Sequence, residues 1–450
     1  MRKRILFGVL ALALFSCGRK PVDQVDVFDG TDAAGQAYPG ATVPFGAVQL
    51  SPDTDPHSCS GYDYAHETIL GFSHTHQSGP GCPGLGDFLV TPGLDVVEPL
   101  PFSHQDEDAR PGYYKVSFAD GIVAELTAAA NAGLHRYLFK GEGARLIRID
   151  ARHCIGDGGQ VAEYRLTLDD PEILGYRRVT GRAGDREVYF SAVFSEPFLS
   201  MEEPEPGVMV FSFPDDLKQV KLFAGLSSVD ANGARANRVK ETAGARFDGL
   251  RKRAEIIWET AFDRIRVKGG PTEVFYTNFY HTFLTPTRID DFDGRYRDPA
   301  GKTRQLPEGR HAYSTLSLRD TIRAWNSLEA LLDTVLVHDL VASEGTGCRV
   351  DPHNEAARYV LVSLGLSPAG SGEYILTAPL FRESVIRLAS GKTLTIKADH
   401  PKRPYIAGVN LNGKPLDRNR LTSDEILEGG ELSFQLSAKP GADVFQTPRF

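Results

Sequence analysis

The stretch GYYKVSFADGIVAELTAAANAGLHRYLF, residues 112–139, holds three short β-prone runs, 112–118, 122–129 and 135–139, with turn-forming residues between them. Branched and aromatic side chains suit a pleated, half-buried surface, and glycine and aspartate supply the turns. Outward from this stretch, runs of the same kind occupy 43–50, 145–150, 186–194, 208–213 and 220–226. Regularly spaced short strands with turn signals predict an antiparallel β-sandwich over 22–235.

After Asp230 the period changes. Leu250, Ala254, Ile257 (with Trp258) and Ala261 recur at helical spacing over 246–262, and Phe275, Phe279 and Phe283 do so over 272–284. Both read as amphipathic helices. A third helix is predicted over 318–336 and a fourth over 354–364, the latter stopped by Gly365. Strands return at 374–376, 384–388, 394–398, 405–411 and 432–436, and the pairs Gly391-Lys392 and Asn412-Gly413 predict a small hairpin-rich β-unit. The expected organisation is therefore an α+β multidomain chain with a leader over 1–17, a sandwich over 22–235, a helical region over 240–366 and a β-unit over 367–450.

A chain of 450 residues, 41% hydrophobic, fills at least two cores, because single cores rarely grow past about 250 residues. Fifty basic against 59 acidic residues give a net charge of -9, and no basic run follows the leader, which argues against a nucleic-acid partner. Three positive charges within residues 1–4, an apolar run over 5–15 and the small-residue step to Cys17 form the layout of an export signal. Leu14-Phe15-Ser16-Cys17 resembles a bacterial lipobox, which would make Cys17 the lipidated residue and the membrane a partner through that anchor. The alternative is an ordinary secretory signal with an incidental cysteine. Either way the mature chain is expected outside the cytoplasm, periplasmic or at the outer membrane and cell surface. Such a compartment permits bridges among Cys59, Cys82, Cys154 and Cys348, Cys59 to Cys82 among them.

Several longer stretches carry a family resemblance: AYPGATVPFGAVQLSPDT (37–54), GYDYAHETILGFSHTHQSGPGC (61–82), GDFLVTP (86–92), HRYLF (135–139), VFYTNFYHTFLTP (274–286), DFDGRYR (291–297), YSTLSLRDTIRA (313–324), YILTAPLF (374–381) and GGELSFQL (429–436). In order, spacing and wording they resemble glycoside hydrolase family 92, the calcium-dependent exo-α-mannosidases, over nearly the whole mature chain. The resemblance implies a β-sandwich packed on an (α/α)6 helical toroid. It also implies Ca²⁺-assisted, inverting removal of α-linked mannose, of the α-1,2 type, from mannose-containing glycans. The toroid is expected to be truncated: only about thirty residues separate Trp325 from Asn354, and one helix of typical length uses about a dozen. The family's general-acid glutamate and most of its calcium ligands belong to the part that is absent, so the metal ligands stay unassigned. Asp351 falls near the family's aspartate-rich turn and is the candidate base.

Candidate contacts carry alternatives. His74 and His76 lie at i and i+2 in Gly71-Phe72-Ser73-His74-Thr75-His76, on one face of an extended segment. They would meet a sugar, ligate a metal, or hold the loop by hydrogen bonds. Asp320 and Arg323 are one helical turn apart and would hold adjacent sugar hydroxyls or simply pair with each other; the family's tryptophan before this aspartate is Arg319 here. Asp291, Asp293 and Gly294 form a D-x-D-G fragment read either as a calcium loop or as the Asp-Gly turn of a hairpin, the commoner use. Tyr62, Tyr64 and Phe72 beside Asp63 would offer a flat surface to a sugar ring or pack in the core. No G-x-S-x-G elbow, phosphate-binding loop, dinucleotide fingerprint or H-E-x-x-H occurs, so those hydrolase, nucleotide and zinc chemistries lack support. Three readings are left: an α-mannosidase, with or without impaired catalysis; a catalytically inactive carbohydrate-binding lipoprotein; or a decayed gene product whose remaining helices cannot close a core and leave apolar faces exposed.

Overall fold

The computed structural model describes residues 19–32, 37–58, 60–78, 84–156, 159–181, 185–298, 300–314, 324–343 and 354–440. Cys17, the Cys59–Cys82 pair, Cys348, Asp320, Arg323 and Asp351 lie outside the described residues, and Cys154 is a free thiol.

Two antiparallel sheets build the N-terminal half. One has six strands, in the order Ser51–Asp53, Gly71–Ser73, Leu89–Leu94, Arg145–Asp150, Val208–Phe213 and Ser200–Glu205. The other has eight, in the order Gly159–Asp169, Glu172–Gly181, Arg186–Phe194, Gln219–Ser227, Ala132–Phe139, Ile122–Ala128, Tyr113–Ser117 and Glu107–Arg110. The three runs of the 112–139 stretch are neighbours in this second sheet, with Val116 opposite Ala124 and Leu126 opposite His135. Strand alternation turns Ile122, Ala124 and Leu126 inward with Phe72, Val90, Ile147, Ile149 and Phe211 of the first sheet, and all are buried in one cluster.

Helix α1 (Ala231–Thr242) lies on the eight-stranded sheet. A methyl group on Gly225 would come within 2.4 Å of the Ala234 carbonyl, so this strand needs glycine for the helix to approach. Periodicity did not reveal α1, because its buried face is Gly233, Ala234, Asn237 and Thr242 rather than an apolar stripe. Helix α2 (Phe247–Phe262) follows the predicted pattern. Its first turns set Phe247 and Leu250 against Tyr113 and Leu134 of the sandwich.

Helices α3 (Thr272–His281), α4 (Ala324–Leu332), α5 (Thr334–Ala342) and α6 (Asn354–Ser363) share one hydrophobic cluster with the C-terminal strands. Trp258, Phe279, Trp325 and Val360 pack there with Ile386, Ile396 and Phe434, so the core runs without a break across residue 366. The helix predicted over 318–336 is interrupted: Asp333 leaves the helical conformation and its side chain caps α5 through the Leu336 amide, since an aspartate satisfies a helix start better than a helix interior. Gly365, at φ 91°, ends α6 as expected.

The C-terminal β-unit departs from a set of hairpins. Its main sheet runs Ile265–Lys268, Glu383–Arg387, Thr393–Ala398, Gly430–Ser437, Tyr405–Leu411 and Lys414–Pro415. The first strand comes from between α2 and α3, and Thr393–Ala398 pairs parallel to Gly430–Ser437. A parallel pair needs a crossover, and the intervening strands with the short helix α7 (Ser423–Leu427) supply it.

The predicted strand over 43–50 is not one. Only Ala41 and Leu50 bridge; Phe45 adopts a left-handed φ of 56°, and its backbone joins the helical half instead, Phe45 donating to the Phe283 carbonyl at 2.8 Å and accepting from Arg288 at 2.9 Å. Two long strands over 159–181 were not anticipated, because the outer one is largely exposed and carries no alternating apolar set. Among the described residues no helix is long and apolar enough to cross a membrane.

Candidate functional site

The loops that follow Ser51–Asp53 and Gly71–Ser73 carry most of the residues singled out above. The two strands pair antiparallel, Ser51 opposite Ser73 and Asp53 opposite Gly71, so the loops leave them in opposite directions, and His76 joins the two by reaching back to Asp53 at 2.6 Å. The 74–78 segment then runs to the helical half. There Tyr38 lies 5.4 Å from His76, ring to ring, and Thr285 Oγ1 donates to the Ser78 carbonyl at 3.2 Å.

His74 and His76 are both buried and use different partners. His74 Nδ1 donates to the carbonyls of Phe88 at 3.0 Å and Asp87 at 3.2 Å. Its Nε2 faces His135 Nε2 at 3.1 Å, and His135 Nδ1 meets the Tyr137 hydroxyl at 2.8 Å. One proton arrangement satisfies every atom: the tyrosine donates to His135, His135 donates to His74, and His74 donates to backbone. Burial lowers both imidazoles, helped at His74 by the potential charge of His76 and at His135 by that of His74, and holds His74 at about 4 and His135 well below its ordinary value. The pair is therefore neutral near pH 7.

His76 presents Nδ1 to the Gln49 carbonyl at 2.7 Å and Nε2 to Asp53 Oδ1 at 2.6 Å, while the second oxygen of Asp53 takes His153 Nε2 at 2.8 Å. Burial pushes the Asp53 carboxyl up, but the charges and hydrogen bonds of His76 and His153 overcome this and hold it well below the usual carboxylate range. Gly61, at φ 75°, lies where a methyl group would come within 2.4 Å of Asp53 Oδ1, so the loop closes directly over the carboxylate. Tyr62 is also buried, its hydroxyl donating to Glu107 Oε2 at 3.0 Å beside His104, and Phe72 lies in the sandwich core. As folded, His74, His76 and Tyr62 are held inside the protein and shape the loop from behind.

The accessible face of the same loop is Tyr64, 44% exposed and stacked on His104 at 3.9 Å, with Asp55, Asp63 and His66 nearby. One potential ligand atom from each of those three lies within 4.8 Å of the others. Calcium, which the family resemblance implies, takes six to eight oxygens. Two carboxylates and an imidazole do not make that set, and they suit a borderline transition ion better. That cluster thus does not fit calcium. The D-x-D-G fragment does not supply it either. Asp291 is buried and accepts from Ser227 Oγ at 2.8 Å and Asn237 Nδ2 at 2.9 Å, while Asp293 pairs with Arg295 at 2.8 Å. Desolvation raises Asp291 to about 6. The fragment turns the chain into Arg295–Arg297, whose hairpin with Thr303–Gln305 closes further on.

Sequence reasoning missed the ions that support these loops. Asp87, fully buried, pairs with Arg177 at 2.9 Å and Arg186 at 2.6 Å, and Thr75 donates to it. The visible signal was Arg177 at an inward-facing position of a strand whose other inward residues are apolar. A charge there is retained only with a partner.

Residues 24–227 match the family model described as the glycosyl hydrolase family 92 N-terminal domain, and residues 233–349 and 351–438 match that of the family 92 catalytic domain. An uncharacterized secreted glycosidase of Arthroderma benhamiae is 24% identical over 319 residues, covering 58% of this chain; the chain spans 41% of that relative's length. Among solved structures, a family GH92 α-mannosidase from Bacteroides thetaiotaomicron superposes with a TM-score of 0.86 at 21% identity, covering 94% of this chain and 95% of the other. The same protein has been solved with mannoimidazole. A family GH92 inverting mannosidase from Bacteroides thetaiotaomicron VPI-5482 gives 0.77 at 16% identity, covering 94% and 97%. These likenesses fix the fold, and the two domain matches in their proper order establish the family: the chain belongs to glycosyl hydrolase family 92.

Proposed function

We propose that this chain acts on the terminal mannose of α-mannosidic glycans outside the cytoplasm, recognising it where the 53–66 loop meets the 74–78 segment beside the helical half. The observation that carries this reading is the loop itself. An exposed aromatic ring, Tyr64, stands among carboxylates and an imidazole, beside a hydrogen-bonded layer of buried Asp53, His76, His74 and His135 with half-buried His153. An aromatic face with hydrogen-bonding neighbours held from below suits a sugar ring. In the reading we favour, His74, His76 and Tyr62 are positioning residues, with Asp320 and Arg323 completing the sugar contacts and Asp351 serving as base.

Inverting hydrolysis needs a carboxylic acid to protonate the leaving oxygen and a carboxylate to activate water. No described residue takes the acid's role by position. Glu329, the carboxyl held neutral most strongly, is sealed inside the helical core. This favours a second reading, in which glycan is bound but turned over slowly or not at all. Export through the leader and anchoring through Cys17 are consistent with either reading.

Mannose release from α-1,2-mannobiose by the mature chain, with calcium added and then chelated, is to be measured beside a calorimetric titration of the same disaccharide. Calcium-dependent release supports the mannosidase. Binding without release supports the glycan-binding reading, and the absence of both sinks the proposal.

A further inference from the structure

A second polar cleft lies on the C-terminal β-unit, with a volume of about 840 Å³. The turn Gly269-Gly270-Pro271 forms one wall, where the strand Ile265–Lys268 hands over to α3, and Arg382, His400, Lys402 and Arg403 line the rest. Two close approaches build it. A methyl group on Gly270 would meet the Phe381 ring at 2.5 Å and the Leu380 carbonyl at 2.6 Å, and one on Gly269 would meet Arg382 Cβ at 3.0 Å. The glycine pair therefore lets the turn lie flat against 380–382, with the Arg382 side chain beside it.

Two guanidinium groups, an ammonium and an imidazole face one carboxylate, Asp399, in this cleft. Among the described residues, none of Arg382, His400, Lys402 and Arg403 has a carboxylate within ion-pair distance, although the whole chain carries a net charge of -9. The single acid, Asp399, is occupied: its Oδ1 accepts the His400 amide at 2.7 Å and the Leu436 amide at 2.9 Å, which pins the 399–403 turn. Arg403 is fixed in turn by donating to the Leu436 carbonyl at 3.1 Å. Helix α3 starts at the same wall, but its Thr272 amide donates to the Gly270 carbonyl at 3.0 Å and its first turn carries Glu273, paired with Arg19 at 2.7 Å, so the side-chain cations alone make the site. The guanidinium groups of Arg382 and Arg403, beside the Lys402 ammonium, recognise tetrahedral oxyanions in preference to neutral hydroxyls.

We propose that this cleft is a binding site for a sulfate or phosphate ester carried on a saccharide, separate from the loop site and independent of whether that site turns over mannosides. Its volume, within the range of ordinary small-molecule pockets, admits the anion with the ring that bears it.

The full mature chain is to be titrated with glucose 6-sulfate, glucose 6-phosphate and glucose, at low and moderate salt, alongside vesicles of phosphatidylcholine with and without phosphatidylglycerol. Both esters are expected to bind in the millimolar range or better, more weakly as salt rises, while glucose does not bind. The double variant R382Q/K402Q should lose about tenfold or more in affinity while keeping the wild-type thermal midpoint and its response to mannobiose. Equal binding of ester and glucose, undiminished binding by the variant, or no ester binding at all would overturn the proposal. Binding confined to the anionic vesicles would also overturn it, in favour of a membrane-headgroup surface.

Discussion

At the residue scale, the buried histidines illustrate how one residue type takes opposite roles within three positions. His74 is neutral because its Nε2 faces another imidazole and its surroundings are apolar, whereas His76 stands between a carbonyl and a carboxylate. The His74 ring, lowered from 6.5 to about 4 by burial, is expected to show its proton-linked NMR shift near pH 4. Titration near its ordinary value would contradict the chain through His135 to Tyr137. Between pH 6.5 and 4 the unfolded chain binds a proton that the folded chain refuses, so this one group withdraws stability as pH falls, by about 3 kcal/mol in all.

At the element scale, α4 carries an internal conflict. Glu329 is buried on its inner face with no hydrogen bond to either carboxyl oxygen, one turn before Asp333, which is paired with Arg264 at 2.7 Å. Burial raises Glu329 to about 8, with Arg264 opposing and Asp333 adding to the rise. Because the folded value lies above the unfolded one, the group costs nothing below pH 4.5, costs more as pH rises to 8, and reaches its full cost above that. Glu329→Gln should therefore be more stable than the wild type at pH 9, by an upper limit of about 5 kcal/mol, with the advantage shrinking toward pH 5. Urea unfolding at the two pH values checks this, and an advantage of equal size at both would rule it out. Legibility also varies by element. Helices α2, α3 and α6 could be read because a continuous apolar stripe marks the side that faces the core. Helix α1 could not, since glycine, alanine and asparagine form its buried face.

At the scale of the whole molecule, the two halves are joined through a few long-range anchors. Phe45 packs 5.5 Å from Phe283, 6.1 Å from Tyr313 and 6.5 Å from Trp325 by ring centroids, and Trp258 Nε1 donates to the Thr42 carbonyl at 2.8 Å. Val22, Val27 and Tyr38, from the N-terminal end of the described chain, lie in the helical core rather than in the sandwich. Phe45→Ala should weaken this junction by about 2–4 kcal/mol and broaden or split the calorimetric unfolding transition. A single unshifted transition would show that the halves are coupled elsewhere. Sequence alone determined most of the strands and the helices with an apolar stripe, the sandwich class and the family, because apolar period and turn residues are local properties and long motifs survive in order. Tertiary structure decided that His74, His76 and Tyr62 face inward, that residues 43–50 leave the sheet, and that a strand preceding α3 completes the C-terminal sheet. The physical reason is separation along the chain. Periodicity tells which side of an element is buried but not what it meets, and the partners that fix these roles lie far away: His135 is 61 residues from His74, and His153 is 100 from Asp53.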